Sequence, residues 1–267
     1  MTTAAQAAPP RAVPTRVIKI GGRAQGDPAL PAAIAGAVSA GARVVVVHGG
    51  GDEVTQLQRQ MGLEPTFHNG RRVTTEGDLM LVRMVLSGTV NKRLVGAFAA
   101  AGVKAVGVSG EDGGLLTCRL FGEGILGAVG EPQAVNPALL TTLLDAGYTP
   151  VVSPLGRFAD GSGCNVNGDD AAAAIAAALG ADELLLVADV PGVLDAAGER
   201  IPQLDGEGMT ALIASGVAKG GMTPKLESAR LTLERGVARV RIGDFAAIAD
   251  PSAGTTLLLA TAVRRPR

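Results

Sequence analysis

Short runs of β-branched and other apolar residues alternate along the chain with stretches of helical periodicity. Residues 16–20 (RVIKI), 43–48 (RVVVVH), 103–108 (VKAVGV), 148–153 (YTPVVS) and 183–188 (ELLLVA) are the clearest of the short runs. Four consecutive valines are apolar on both faces, which suits a strand buried on both sides, as in a parallel sheet with helices above and below. Residues 238–242 and 255–259 add two further strands. The helical pattern predicts helices over 28–40, 52–61, 77–100, 136–146, 169–179, 209–215 and 224–235. The third should break or bend near Gly88. The fourth has Asn136 as N-cap and Pro137 at its first position, and the last is closed by Gly236. Asn69-Gly70 and Asp160-Gly161 mark hairpins, and residues 115–135 form a hairpin or ribbon. Strands that alternate with helices throughout predict an α/β fold with a mostly parallel sheet covered on both faces. No low-complexity linker divides residues 16–260, so any two lobes share one continuous sheet. Residues 1–15, rich in Ala, Thr and Pro, are expected to be a disordered tail, and 261–267 a second short tail.

Composition changes this picture little. The chain has 267 residues, long enough for a sizeable core, and only 2% are aromatic, so that core must be built from Ala, Val, Leu and Ile. The formal net charge is −1 and Lys/Arg do not cluster, which argues against a nucleic-acid or anionic-membrane surface. Cys118 and Cys164 are far apart and form no CxxC motif, as expected of a reduced, cytoplasmic protein. No apolar run approaches the ~20 residues of a membrane span.

Ligands of open α/β sheets bind at the carboxyl ends of strands. Five informative stretches fall there: KIGG from Lys19, HGGG from His48, NVNGDD from Asn165, Asp189, and GGMTPK from Gly220. The glycines after His48 let the chain turn and let an anion approach main-chain N–H groups at a helix start, or they are only a tight turn. Lys19, embedded in an apolar strand, either meets an anion or marks an edge strand where it reaches solvent. Lys225 at a helix start either serves an anionic ligand or is an exposed helix lysine. Asn165, Asn167 and Asp169 alternate, so their side chains share one face if the segment is extended; the plainer alternative is Asp169 as N-cap of the Ala-rich helix. Arg72 either clamps a carboxylate or lies on the surface. His48 has no carboxylate or nucleophile spaced around it and is read as structural.

A Walker-type loop, a GxSxG elbow and a His/Cys metal cluster are missing from the sequence, so no protein-bound metal is expected. Glycine loops with two lysines and an aspartate suit phosphoryl transfer, in which positioning and electrostatic stabilisation supply most of the catalysis.

The motifs KIGG, HGGG, NGRRVT (from Asn69), MVLSGTVNK (from Met84), VGVSGEDG (from Val106), NVNGDDAA, DVPGVL (from Asp189) and GGMTPK, in this order over residues 16–260, resemble the amino-acid kinase family, and within it the members that act on N-acetyl-L-glutamate. The resemblance implies a three-layer αβα sandwich around a mainly parallel open sheet. It implies an N-terminal part, to about residue 180, that binds N-acetyl-L-glutamate and a C-terminal part that binds ATP. It implies transfer of the γ-phosphoryl group to the side-chain carboxylate, a step of arginine biosynthesis. By the same resemblance Lys19 and Lys225 stabilise the moving phosphoryl and Asp169 orients them. Gly50 and Gly51 donate N–H groups, Arg72 holds the α-carboxylate and Asn165 contacts the substrate. Gly21 and Gly22 lie by the phosphates, Asp189 sits on the nucleotide side, and Mg²⁺ rides on the ATP phosphates.

Two departures stand out. Arg71 replaces a usually apolar residue in the substrate loop, and Gly168 replaces an alanine before Asp169. The short Pro-rich start and the stretch 242–254 lack the features of arginine-inhibited, hexameric relatives, so a homodimer insensitive to arginine is expected. The alternatives are a sister kinase for carrier-bound aminoadipate or glutamate, and a catalytically silent binding protein of this fold. The third glycine of HGGG and the NxNxD pattern speak against the first, and Lys19, Asp169 and Lys225 together against the second.

Overall fold

The computed structural model describes residues 13–259 apart from 22, 69 and 219–221. Gly22, Asn69, Gly220 and Gly221 of the motifs above therefore lie outside the described residues, as do 1–12 of the expected 1–15 tail and all of the expected tail at 261–267; Thr15, expected in the first tail, instead begins a strand. The chain runs β1 (Thr15–Ile20), α1 (Leu30–Ser39), β2 (Arg43–His48), α2 (Gly51–Gln60), β3 (Phe67–His68), β4 (Arg71–Arg72) and α3 (Glu76–Arg83). A π-helical segment, Met84–Val90, joins α3 to α4 (Asn91–Ala100). Then come β5 (Ala105–Ser109), β6 (Leu116–Leu120), β7 (Val129–Val135), α5 (Ala138–Asp145), β8 (Thr149–Ser153), β9 (Leu155–Arg157), β10 (Gly163–Val166) and α6 (Gly168–Ala178). The last part is β11 (Glu183–Val187), β12 (Gln203–Leu204), α7 (Gly206–Ala214), α8 (Met222–Glu234), β13 (Val240–Gly243), α9 (Ala246–Ala249) and β14 (Thr255–Leu257).

The main sheet has eight strands in the order β12-β14-β13-β11-β1-β2-β8-β5. All neighbours are parallel except β13 and β14. The period-2 alternation of side chains divides the apolar strands between two cores. Val17, Val45, Val47, Leu184 and Leu186 pack beneath α5, α6, α7 and α8. Ile18, Ile20, Val44, Val46, Leu185 and Val187 pack against α1, α2, α3, α4 and α9. The fold is thus a three-layer αβα sandwich. Small side chains suit the close seat of α6, where Ala171, Ala172 and Ala176 are fully buried.

Several local expectations change. The 77–100 helix does not break at Gly88; it absorbs one wider turn in the π segment and continues. Pro137, not Asn136, sits at the cap of α5, although Asn136 Oδ1 still accepts from the Ala138 N–H at 3.2 Å. Residues 116–135 and 155–166 form a four-stranded closed barrel, β10-β7-β6-β9. Inside it Cys118 and Cys164, distant in sequence, come together as buried free thiols. A Cβ on Gly130 would stand 2.4 Å from Cys164 Sγ, so only glycine fits opposite the sulfurs. At the opposite end of the sheet from the loops described next, buried Glu183 gathers Arg16 and Arg241, whose guanidinia also donate to carbonyls at the end of α9.

Candidate active site

β1 lies at the centre of the sheet, between β11 and β2, where the chain's crossovers diverge to the two sides. Ligand crevices open at the carboxyl ends of strands at such a switch point. Lys19 pairs in register with Leu186 and Val47 and is 9% exposed. The edge-strand alternative for Lys19 is therefore excluded by the strand order. Its ammonium lies 2.9 Å from Asp169 Oδ1, and Lys225 Nζ lies 3.4 Å from Asp169 Oδ2. Burial by itself would raise the Asp169 carboxyl, but the charges of Lys19 and Lys225 outweigh it and hold the group below the usual carboxylate range. Lys225 is lowered from the usual lysine value, first by burial and in part by the Lys19 charge, against the pull of Asp169. Two ammonium groups sharing one carboxylate leave an excess positive charge that an anionic ligand would neutralise.

Asp169 does not cap α6. Asn167 does: its Oδ1 accepts from the N–H groups of Asp169 and Asp170 at 2.9 and 3.2 Å. The extended face shared by Asn165, Asn167 and Asp169 is corrected accordingly. Asn165 stays in β10, Asn167 turns inward to cap, and Asp169 is already helical. Capping frees the Asp169 carboxylate for the lysines.

On one side of this triad is a cavity of about 210 Å³, lined among others by Gly50, Gly51, Arg72, Asn165 and Gly168. Helices α2 and α6 both point their N-termini at it, which favours negative charge. Arg72 is 9% exposed, so it is no surface arginine. It donates to Gln58 Oε1, and at 2.7 Å to both the Gly51 carbonyl and Thr55 Oγ1. Burial lowers its guanidinium from the ordinary value, yet an arginine stays charged. Asn165 Nδ2 donates to Thr74 Oγ1 at 3.1 Å. Gly168 touches the triad directly, since a Cβ there would stand 3.3 Å from Lys19 Cε.

On the other side is a cavity of about 430 Å³, lined by Asp189, Gly192, Met222 and Lys225 among others. Gly21 follows β1 and lies close to Val187, near the same strand ends. The triad therefore stands between a small cavity lined by an arginine and a larger one lined by an aspartate. Among the described residues no group of three or more His, Cys, Asp or Glu could hold a metal ion, and no helix is long and apolar enough to cross a membrane.

The sequence that builds these strand ends matches a known family. Residues 14–244 fit the pattern of the amino acid kinase family. The chain belongs to that family. A protein named acetylglutamate kinase from Jannaschia sp. (strain CCS1) is 45% identical over 225 residues, covering 83% of this chain and 79% of that protein. One of the same name from Methanopyrus kandleri is 48% identical over 201 residues, covering 72% and 82%. A solved structure from Streptococcus mutans UA159 superposes with a TM-score of 0.82 at 30% identity, over 91% of this chain and 98% of that one.

Within this amino acid kinase fold His48 is a packing residue. Its Nδ1 donates to the Gly49 carbonyl at 2.7 Å, and its Nε2 accepts from Asn91 Nδ2 at 3.2 Å. Asn91 also donates to the Val151 carbonyl at 2.8 Å, so the imidazole ties β2 to α4 and β8. Burial lowers its pKa to about 4. Between the unfolded value of about 6.5 and pH 4 the unfolded chain binds a proton that the folded chain refuses. Stability should therefore fall as pH falls through that window, by at most about 3 kcal/mol. Urea unfolding at pH 7 and pH 4.5 checks this, and His48→Asn should flatten that part of the profile.

Sequence reasoning missed Gln58, which holds Arg72 and donates to Asp78 Oδ1 at 2.6 Å. Its signal was weak: one amide among several polar residues of α2.

Proposed function

We propose that the chain is a kinase that transfers the γ-phosphoryl group of ATP to the side-chain carboxylate of N-acetyl-L-glutamate. The products are N-acetyl-L-glutamyl 5-phosphate and ADP, and the step belongs to arginine biosynthesis. The observation that carries this reading is the Lys19–Asp169–Lys225 triad standing between two cavities of different chemistry. The relatives named acetylglutamate kinase support the choice of acceptor.

In this reading the N-terminal part, to about residue 180, holds the acceptor within the domain spanning 16–260. Arg72 takes its α-carboxylate, Asn165 a polar group, and the N–H groups of Gly50 and Gly51 the reacting end. The C-terminal part holds ATP, with Asp189 on the nucleotide side and Gly21 and Gly22 near the phosphates. Lys19 and Lys225 neutralise charge on the phosphoryl group as it moves, and Asp169 keeps the two ammonium groups in place. The acceptor is a carboxylate, ionised at neutral pH, so no general base is needed. Mg²⁺ belongs with the ATP phosphates and neutralises their charge there; the donor set of the described residues offers it no cluster of its own.

We further propose a cytoplasmic homodimer, insensitive to arginine. The end position of β5 in the sheet and the exposed Met80 and Met84 support a self-contact on that side. The test is ADP release with hydroxamate trapping across N-acetylglutamate, glutamate, aspartate, N-acetylaminoadipate and a carrier-linked acceptor, with and without arginine, beside sedimentation. Turnover of free N-acetylglutamate far above the others is expected. Preference for the carrier-linked acceptor would refute the assignment, and a hexamer or arginine inhibition would refute the assembly.

A further inference from the structure

Arg71 is the immediate neighbour of Arg72 in β4, and Asp170 the immediate neighbour of Asp169 in α6. Across 99 residues of sequence, Arg71 Nη1 donates to Asp170 Oδ2 at 2.8 Å. The Arg71 guanidinium also lies over the Phe121 ring, 4.5 Å from its centroid, on the turn between β6 and β7. The side chains of Arg71 and Asp170 are 28% and 25% exposed, so the pair is partly shielded from solvent. Arg71 also contributes to the wall of the acceptor cavity. The residues beside the two ends of that cavity are thus fastened to each other.

An acceptor bound at both ends is measured by the distance between those ends. On the reading above, its α-carboxylate sits at Arg72 and its reacting carboxylate at the triad. We propose that Arg71 is a positioning residue. With Asp170 and Phe121 it sets the span between the carboxylate clamp and the phosphoryl-transfer triad, and so selects the chain length of the acceptor. A rigid span matters because a misplacement of about 1 Å at a reacting centre can cost about a hundredfold in rate. A pocket built on packing alone separates acceptors that differ by one methylene by only about 10–200-fold.

The test is steady-state kinetics of wild type, Arg71→Leu, Arg71→Lys and Asp170→Asn. The acceptors are N-acetylaspartate, N-acetylglutamate and N-acetylaminoadipate, which differ by one methylene each. Arg71→Leu keeps an apolar contact for Phe121 but loses the ion pair. It should raise KM for N-acetylglutamate by about fivefold, the order expected for a partly shielded ion pair, while KM for ATP stays within about twofold. The preference for N-acetylglutamate over the longer acceptor should fall by a similar factor. Arg71→Lys should recover part of both, and Asp170→Asn should reproduce the loss. Thermal melting checks that Arg71→Leu folds; if it does not, Asp170→Asn, which keeps the side chain's size, decides. Equal losses for all three acceptors, or no change in KM, would overturn the proposal. Wild type active on N-acetylglutamate with unchanged variants defeats this inference alone. Wild type inactive on every acetylated acceptor defeats the proposed function as well.

Discussion

Lys225→Ala is expected to lower kcat by about a hundredfold to a thousandfold, the loss seen when one preorganised group facing transition-state charge is removed. The expectation follows from position. Lys225 lines the larger cavity and reaches Asp169 at 3.4 Å, while Lys19 stands against Gly168 beside the smaller one. On the proposed reading the smaller cavity holds the acceptor, and Lys225 does not line it, so KM for N-acetylglutamate should change little. Folding should also survive, because Asp169 keeps its contact with Lys19 at 2.9 Å. Lys225→Arg should not restore the rate, since a planar fork cannot occupy the place of a compact ammonium. Asp169→Ala should behave differently. It leaves two buried ammonium groups facing each other, and breaking a buried ion pair by removing one partner costs about 3–5 kcal/mol. Added phosphate or ATP should return part of that stability. Retention of kcat within tenfold in Lys225→Ala would sink the role given to this lysine.

Gly50→Ala has the largest expected effect on stability. Gly50 has φ 142°, a conformation that side-chain-bearing residues rarely adopt. A Cβ there would stand 2.7 Å from Leu86 Cδ2 and 3.2 Å from Val90 Cγ2, both on buried residues of the π segment. Backbone strain of about 1–3 kcal/mol and overpacking of about 1–3 kcal/mol together predict a loss of about 2–6 kcal/mol. The displaced turn would also carry the start of α2 away from the acceptor cavity. Gly51→Ala is the control: its Cβ would meet nothing closer than Arg72 Nη2 at 4.0 Å, so the fold should persist. Urea unfolding of both variants beside wild type measures the difference. Equal stability of the two would show that the turn tolerates a side chain.

Much of the scaffold is legible in the chain, because local patterning reports local physics. The valine run at 43–48 and the leucine run at 183–187 became central strands, and the Asp160-Gly161 turn joins β9 to β10. Short or lone elements were not legible. Gln203–Leu204 and Ala246–Ala249 carry too few residues for a period to show, and both take their place from neighbours: β12 pairs with β14, and α9 lies beneath the guanidinia of Arg16 and Arg241. Within the site, the glycine turn after His48 and the presence of lysines near strand ends were visible. That Asn167 would take the cap and release Asp169 was not, since both residue types cap helices well.

By itself the sequence determined the longer strands and helices, which of their faces are apolar, and which residue types stand at strand ends. Those properties depend on neighbours within a few positions. The tertiary structure alone decided the lateral order of the strands, and with it the burial of Lys19 between β11 and β2. It also decided the meeting of Lys19, Asp169 and Lys225, of Cys118 with Cys164, and of Arg71 with Asp170. Each of these joins residues far apart in the chain, and such contacts are set by long crossover connections that no local pattern encodes.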